Sequence, residues 1–118
     1  MTGEPFALTI CHCRSCRLAS GAPSVAWAVF RPGDFSFFRG DPLRFNSSPP
    51  VTRTFCGKCG TPLTYQSTER PDAIDVTTAT FDTPDIFPPA KEIWIGQKIS
   101  WDNLNEGLPH FSRSSIDS

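Results

Sequence analysis

Hydrophobic and polar positions along this chain alternate over short stretches and almost never recur at the three-to-four spacing of an amphipathic helix, so the pattern is one of strands. Runs rich in β-branched and aromatic residues predict strands over 5–10, 25–31, 35–39, 43–46, 51–55, 63–66, 74–79 and 92–99, with proline, glycine and serine between them. Short strands joined by turn signals in this number define an all-β domain, mainly antiparallel. Two helical turns interrupt the series. One covers 14–20 and is closed by Gly21 and Pro23; the other covers 83–87, where Thr-Pro-Asp opens a turn that Pro88 and Pro89 end. No repeat or linker divides residues 1–118, which read as a single domain with a polar tail at 112–118.

Composition narrows the picture. A chain of 118 residues holds one core, and 38% hydrophobic with 19% charged residues makes that core modest. Twelve prolines favour turns over long elements. Eleven basic and 12 acidic residues leave a net charge of −1 without a basic block that could follow a phosphate backbone, which argues against nucleic acid as a partner. No apolar run reaches the ~18 residues of a membrane span, and the N-terminus lacks the basic-then-apolar order of a secretion signal. The expectation is a cytoplasmic protein with no membrane contact; its oligomeric state leaves no mark on the sequence.

The five cysteines change the picture most, because they fall in two clusters: Cys11-His12-Cys13-Arg14-Ser15-Cys16 and Cys56-Gly57-Lys58-Cys59. Without a secretion signal, such spacing points to metal binding rather than disulfides. Zinc takes four soft or borderline ligands, and a Cys-x-x-Cys turn presents two sulfurs to one side. Cys13 and Cys16 with Cys56 and Cys59 would therefore suffice for one closed structural zinc, whose binding would supply much of the folding free energy of so small a domain. Cys11 is surplus to that arrangement. Cys11, Cys13 and Cys16 together make a site of their own, and three protein ligands leave the open fourth position of a catalytic centre. Three thiolates around zinc suit an incoming sulfur better than the generation of hydroxide, so the expected chemistry is that of thiols. A dithiol redox role for Cys56 and Cys59 is disfavoured, since Gly60-Thr61-Pro62-Leu63 follows them and no helix is there to acidify the first thiol.

Other candidates carry less. His12 lies between cysteines, but neighbouring side chains point apart in extended chain, which assigns it to solvent or to a supporting position rather than to the metal. His110 reads as surface. Trp27, Phe30, Phe35, Phe37, Phe38 and Trp94 read as core or pocket wall, because no basic stripe runs among them. Asp72 and Asp75 do not form a catalytic pair. Arg14, Arg17 and Lys58 are close in sequence to the cysteines and are candidates to meet carboxylates of a substrate, against the alternative of solvated surface charge.

The stretch from Cys11 through Arg17, continued by Ala19-Ser20-Gly21-Ala22-Pro23, and the stretch Phe55-Cys56-Gly57-Lys58-Cys59-Gly60-Thr61-Pro62-Leu63 resemble the glutathione-dependent formaldehyde-activating enzyme family, which includes centromere protein V. Ile74 through Thr80 and Ile93-Trp94 are similar to it too, so the likeness spans nearly the whole chain. The resemblance implies a zinc-containing β-tent fold and a carbon-sulfur lyase activity that interconverts glutathione plus formaldehyde with S-hydroxymethylglutathione. It implies that Cys11, Cys13 and Cys16 hold a catalytic zinc and that Cys56 and Cys59 supply half of a structural zinc site. The other half, an early Cys-x-Cys on an opening strand, has no counterpart here, and an in-frame Cys-x-Cys-Gly upstream of Met1 is the expectation that follows. The alternative to an enzyme acting on a glutathione or similar thiol adduct of a small aldehyde is a non-catalytic zinc module for protein interaction.

Overall fold

The computed structural model describes residues 4–35 and 42–113. Its strands are β1 (Ala7–Cys11), β2 (Val25–Phe30), β3 (Leu43–Ser48), β4 (Val51–Phe55), β5 (Pro62–Ser67), β6 (Ile74–Thr77) and β7 (Lys91–Ile93), and its α-helix is α1 (Arg14–Ser20). They form one sheet in the order β3-β4-β5-β6-β2-β1-β7. Every pairing is antiparallel except β1 with β7. This is the small all-β fold that the alternation predicts, with the helical segment at 14–20 where expected.

Three predicted elements end differently. Of the strand predicted over 35–39, Phe35 follows a 3-10 turn, Pro32–Asp34, and the rest lies outside the described residues. The run at 74–79 leaves the sheet after Thr77 and continues as a 3-10 turn, Thr78–Thr80. The run at 92–99 is strand only as far as Ile93, because Trp94 takes left-handed backbone (φ 57°) and a 3-10 turn, Ile95–Gln97, follows. The amides that would have continued β7 bond elsewhere: Trp94 N–H to the Arg113 carbonyl (3.1 Å) and Ile95 N–H to that of Phe111 (3.1 Å). A returning segment of the chain thus replaces the predicted strand extension.

The period of two along each strand sorts side chains onto two faces. On one face Ala28, Phe30, Ile74 and Val76 make a buried cluster, with Leu8, Phe35 and Phe81 packed against it. Phe30 is fully buried and meets Phe81 and Phe87 edge-on at 6.0 and 6.3 Å between ring centres, held there by the 3-10 turns that follow β6. Removing a ring so placed costs about 3–5 kcal/mol. The other face carries the odd-numbered positions. Register pairs Phe45 with Arg53, Arg53 with Tyr65, Tyr65 with Asp75, Asp75 with Val29 and Val29 with Ala7, a continuous row across the sheet. All of these residues line one cleft of about 1380 Å³, and so do Cys11, Cys13 and Cys16.

Candidate metal centre

Cys11 is the last residue of β1, held between Val25 of β2 and Ile93 of β7. The chain then turns directly into α1. Cys13 occupies the position that caps the helix, with extended backbone, and its sulfur accepts the Cys16 amide N–H at 3.3 Å. Cys16 is the third residue of the helix and faces inward. Gly21 ends the helix in the left-handed conformation (φ 71°) and donates its N–H to the Arg17 carbonyl at 2.7 Å, an ending that glycine takes without steric cost. A strand end and one turn of helix are thus enough to bring Cys-x-Cys-x-x-Cys to a single point.

The sulfurs of Cys13 and Cys16 lie 3.0 Å apart and those of Cys16 and Cys11 3.4 Å, and all three fall within 4.8 Å of one another. No disulfide joins them. Cys11 and Cys16 are buried, packed with Trp27, while Cys13 is part-exposed. Proton sharing divides the three thiols. Hydrogen bonds with Cys11 and then Cys16 bring Cys13 down to about 3, helped by the Cys16 amide and the positive charge of Arg53 and opposed by burial. Against a lowering hydrogen bond with Cys11, the bond with Cys13 and burial push Cys16 up to about 11. Cys11 is raised, first by its hydrogen bonds with Cys13 and Cys16 and then by burial. The cluster therefore carries one anion readily, and a cation would draw off the remaining protons.

Cys56 and Cys59 stand apart. Their turn is closed by Cys56 N–H to the Thr61 carbonyl (2.9 Å) and Gly60 N–H to the Cys56 carbonyl (2.8 Å), with Gly60 at φ 78°. Cys59 is exposed, and hydrogen bonding with Thr61 (Sγ to Oγ1, 3.0 Å) lowers its thiol pKa. Among the described residues neither sulfur joins the group formed by Cys11, Cys13 and Cys16. The closed site of Cys13, Cys16, Cys56 and Cys59 weighed from the sequence is therefore not assembled in this structure. Gly60 alone of that turn reaches the cleft wall.

Of the two places expected for it, His12 takes the supporting one and not solvent. Its side chain does point away from the cysteines, but the face it points to is closed: it is 1% exposed, and its Nε2 lies 2.7 Å from Glu92 Oε1, itself 2% exposed. Asp102 Oδ2 lies 3.6 Å from its Nδ1. The second Glu92 oxygen accepts the Asn105 N–H at 2.6 Å and lies 3.3 Å from Nε2 of His110. His110, expected at the surface, is exposed yet bonded, its Nε2 also 2.8 Å from the Asn105 carbonyl. This network fastens the returning segment against the strand that ends in Cys11. Arg14, Arg17 and Lys58 are absent from the cleft lining, whose cations among the described residues are Arg44, Arg53, Arg70 and Lys91.

The fold and the three converging cysteines define a class: a small β-sheet protein whose soft sulfur donors open onto a large cleft. The chain belongs to the glutathione-dependent formaldehyde-activating enzyme family, whose sequence model matches residues 1–97. Among solved structures, the crystal structure of a Rhodobacter sphaeroides protein, a structural-genomics target, is similar with a TM-score of 0.55 and 19% identity over 90% of this chain and 81% of that one. At that identity the likeness speaks for the fold alone. Comparison with curated proteins gives no match. No helix among the described residues is long and apolar enough to cross a membrane.

Proposed function

We propose that the protein is a zinc-dependent carbon-sulfur lyase that interconverts glutathione plus formaldehyde, or a similar thiol and small aldehyde, with the S-hydroxymethyl adduct. The observation that carries this reading is the convergence of three cysteine sulfurs on one point at the wall of a cleft, with no fourth ligand in the group among the described residues. Family membership supports it.

The donor set suits the metal. Three sulfurs within 4.8 Å of one another and unbridged match what a soft divalent cation requires of its ligands. Cys11, Cys13 and Cys16 would hold the ion, and zinc bound there would supply an open position for a soft sulfur ligand. The protein's own part is placement. β1 and α1 fix the three sulfurs, and Trp27, Ile93 and Trp94 pack around them. In the reaction the thiol sulfur bonds to the aldehyde carbon, the carbonyl π bond breaks, and the proton lost by sulfur ends on the former carbonyl oxygen. The reverse direction breaks the carbon–sulfur bond and returns both reactants.

A non-catalytic zinc module is the competing reading, and one titration separates the two. Glutathione added to zinc-loaded protein should bind with a calorimetric signal that disappears in Cys13→Ser. A zinc-loaded chain indifferent to glutathione would favour the module.

A further inference from the structure

Arg53 occupies the middle of the row that runs across the cleft floor. It is paired in register with Tyr65, and its guanidinium lies over the Tyr65 ring, 4.8 Å from the ring centre. Stacking orients a guanidinium while leaving its N–H edge free to bond. The carboxylate in the same row, Asp75, is taken: its Oδ1 lies 3.1 Å from Nη2 of Arg70. Among the described residues no carboxylate lies within 4.0 Å of Arg53. Among the described residues the remaining charges on the cleft wall are Arg44, Lys91 and Glu69, so cations outnumber anions among them. Tyr65 in turn packs against the cluster of Cys11, Cys16 and Trp27, which places Arg53 in the neighbourhood of the cysteines.

We infer that Arg53, held over the Tyr65 ring, binds a carboxylate of the thiol whose sulfur is received at Cys11, Cys13 and Cys16, and so restricts the site to thiols that carry a carboxylate. The inference rests on the thiol-adduct reading proposed above and adds to it the residue that sets specificity for the thiol. The sequence suggests Arg14, Arg17 and Lys58 for this task by their nearness along the chain; the sheet instead delivers a cation from β4, distant in sequence but on the same face as Cys11. Arginine is the residue for it, since its fork meets both oxygens of a carboxylate at once. Arg44 lies one strand further out and is exposed, so its charge adds to the field without a fixed geometry.

The test compares binding of glutathione and of glutathione diethyl ester, which keeps the thiol and lacks the carboxylates, to zinc-loaded protein by calorimetry. The wild-type chain should prefer glutathione by about tenfold or more, the strength of a charge-assisted pair. Arg53→Gln should bring the two ligands within about twofold of each other, and Arg44→Gln should leave the preference in place. Arg53→Lys, which keeps the charge but loses the fork, should retain only part of it and serves if Arg53→Gln does not fold. Undiminished preference in either Arg53 variant, or equal loss in Arg44→Gln, overturns the role of Arg53 and leaves the thiol reading standing. Binding of neither ligand by the wild-type chain overturns both.

Discussion

His12 and Glu92, eighty positions apart, meet at 2.7 Å between Nε2 and Oε1 with almost no exposure to solvent. The register explains the meeting: β1 runs parallel to β7 with Ile10 opposite Glu92, so His12 and Glu92 come to the face turned away from the cleft. The returning segment closes that face by the Asn105 amide and His110. Removing one partner of a buried hydrogen bond leaves the other unsatisfied and costs about 1–3 kcal/mol. Glu92→Ala should lose stability on that scale in a denaturant titration, and His12→Ala should be comparably damaging. A loss below about 1 kcal/mol in both, the scale of an exposed pair, would show that the pair is dispensable.

Metal content should divide the cysteines into two groups. Cys11→Ser, Cys13→Ser and Cys16→Ser should each abolish zinc retention against a weak chelator, whereas Cys59→Ser should leave it intact, because two thiolates cannot by themselves close a zinc site. Elemental analysis of the dialysed variants reads this directly. The wild-type chain should retain no more than one zinc, and two firmly held equivalents would contradict the account.

Asp75 gives a pH signature. Burial raises its pKa, with the charge and hydrogen bond of Arg70 only partly offsetting. A carboxyl whose folded pKa lies above its unfolded one contributes stability that is fully present below the unfolded value of about 4 and is lost as pH rises through the folded value. Asp75→Asn should therefore flatten the fall in stability on going from about pH 4 upward. Thermal unfolding across that range checks it, and a variant whose profile parallels the wild type would show that Asp75 titrates normally.

Gly60 should resist replacement for backbone reasons alone. Its φ of 78° is unfavourable for any residue with a Cβ, while nothing lies within 4 Å of where that Cβ would sit. Gly60→Ala should cost about 1–2 kcal/mol of stability, measured by thermal unfolding. A neutral effect would mean that the Cys56–Cys59 turn relaxes without penalty.

Much of this was legible along the chain. Alternation gave the sheet, glycine and proline gave the end of α1, and Cys-x-Cys-x-x-Cys announced a cluster by spacing alone, since a strand end followed by a helical turn converges whatever the rest of the fold does. What was hidden depends on long-range register. Glu92 looked like an ordinary polar position of a strand until β7 was paired with β1, and Arg53 is one of many arginines until the row through Tyr65 and Asp75 puts it on the floor of the cleft. Trp94 marks the same limit: nothing local in Ile93-Trp94-Ile95 signals a left-handed residue, and the amides that leave the strand there answer to Phe111 and Arg113.

The central claim is that Cys11, Cys13 and Cys16 hold an ion that receives a thiol for addition to an aldehyde. Magnetisation-exchange NMR on an equilibrium mixture of glutathione, formaldehyde and S-hydroxymethylglutathione measures the rate of interconversion without disturbing it. Zinc-loaded protein should raise that rate above the buffer value, and the metal-free chain and Cys13→Ser should not. A rate equal to that of buffer, from a chain carrying one zinc, would contradict the account.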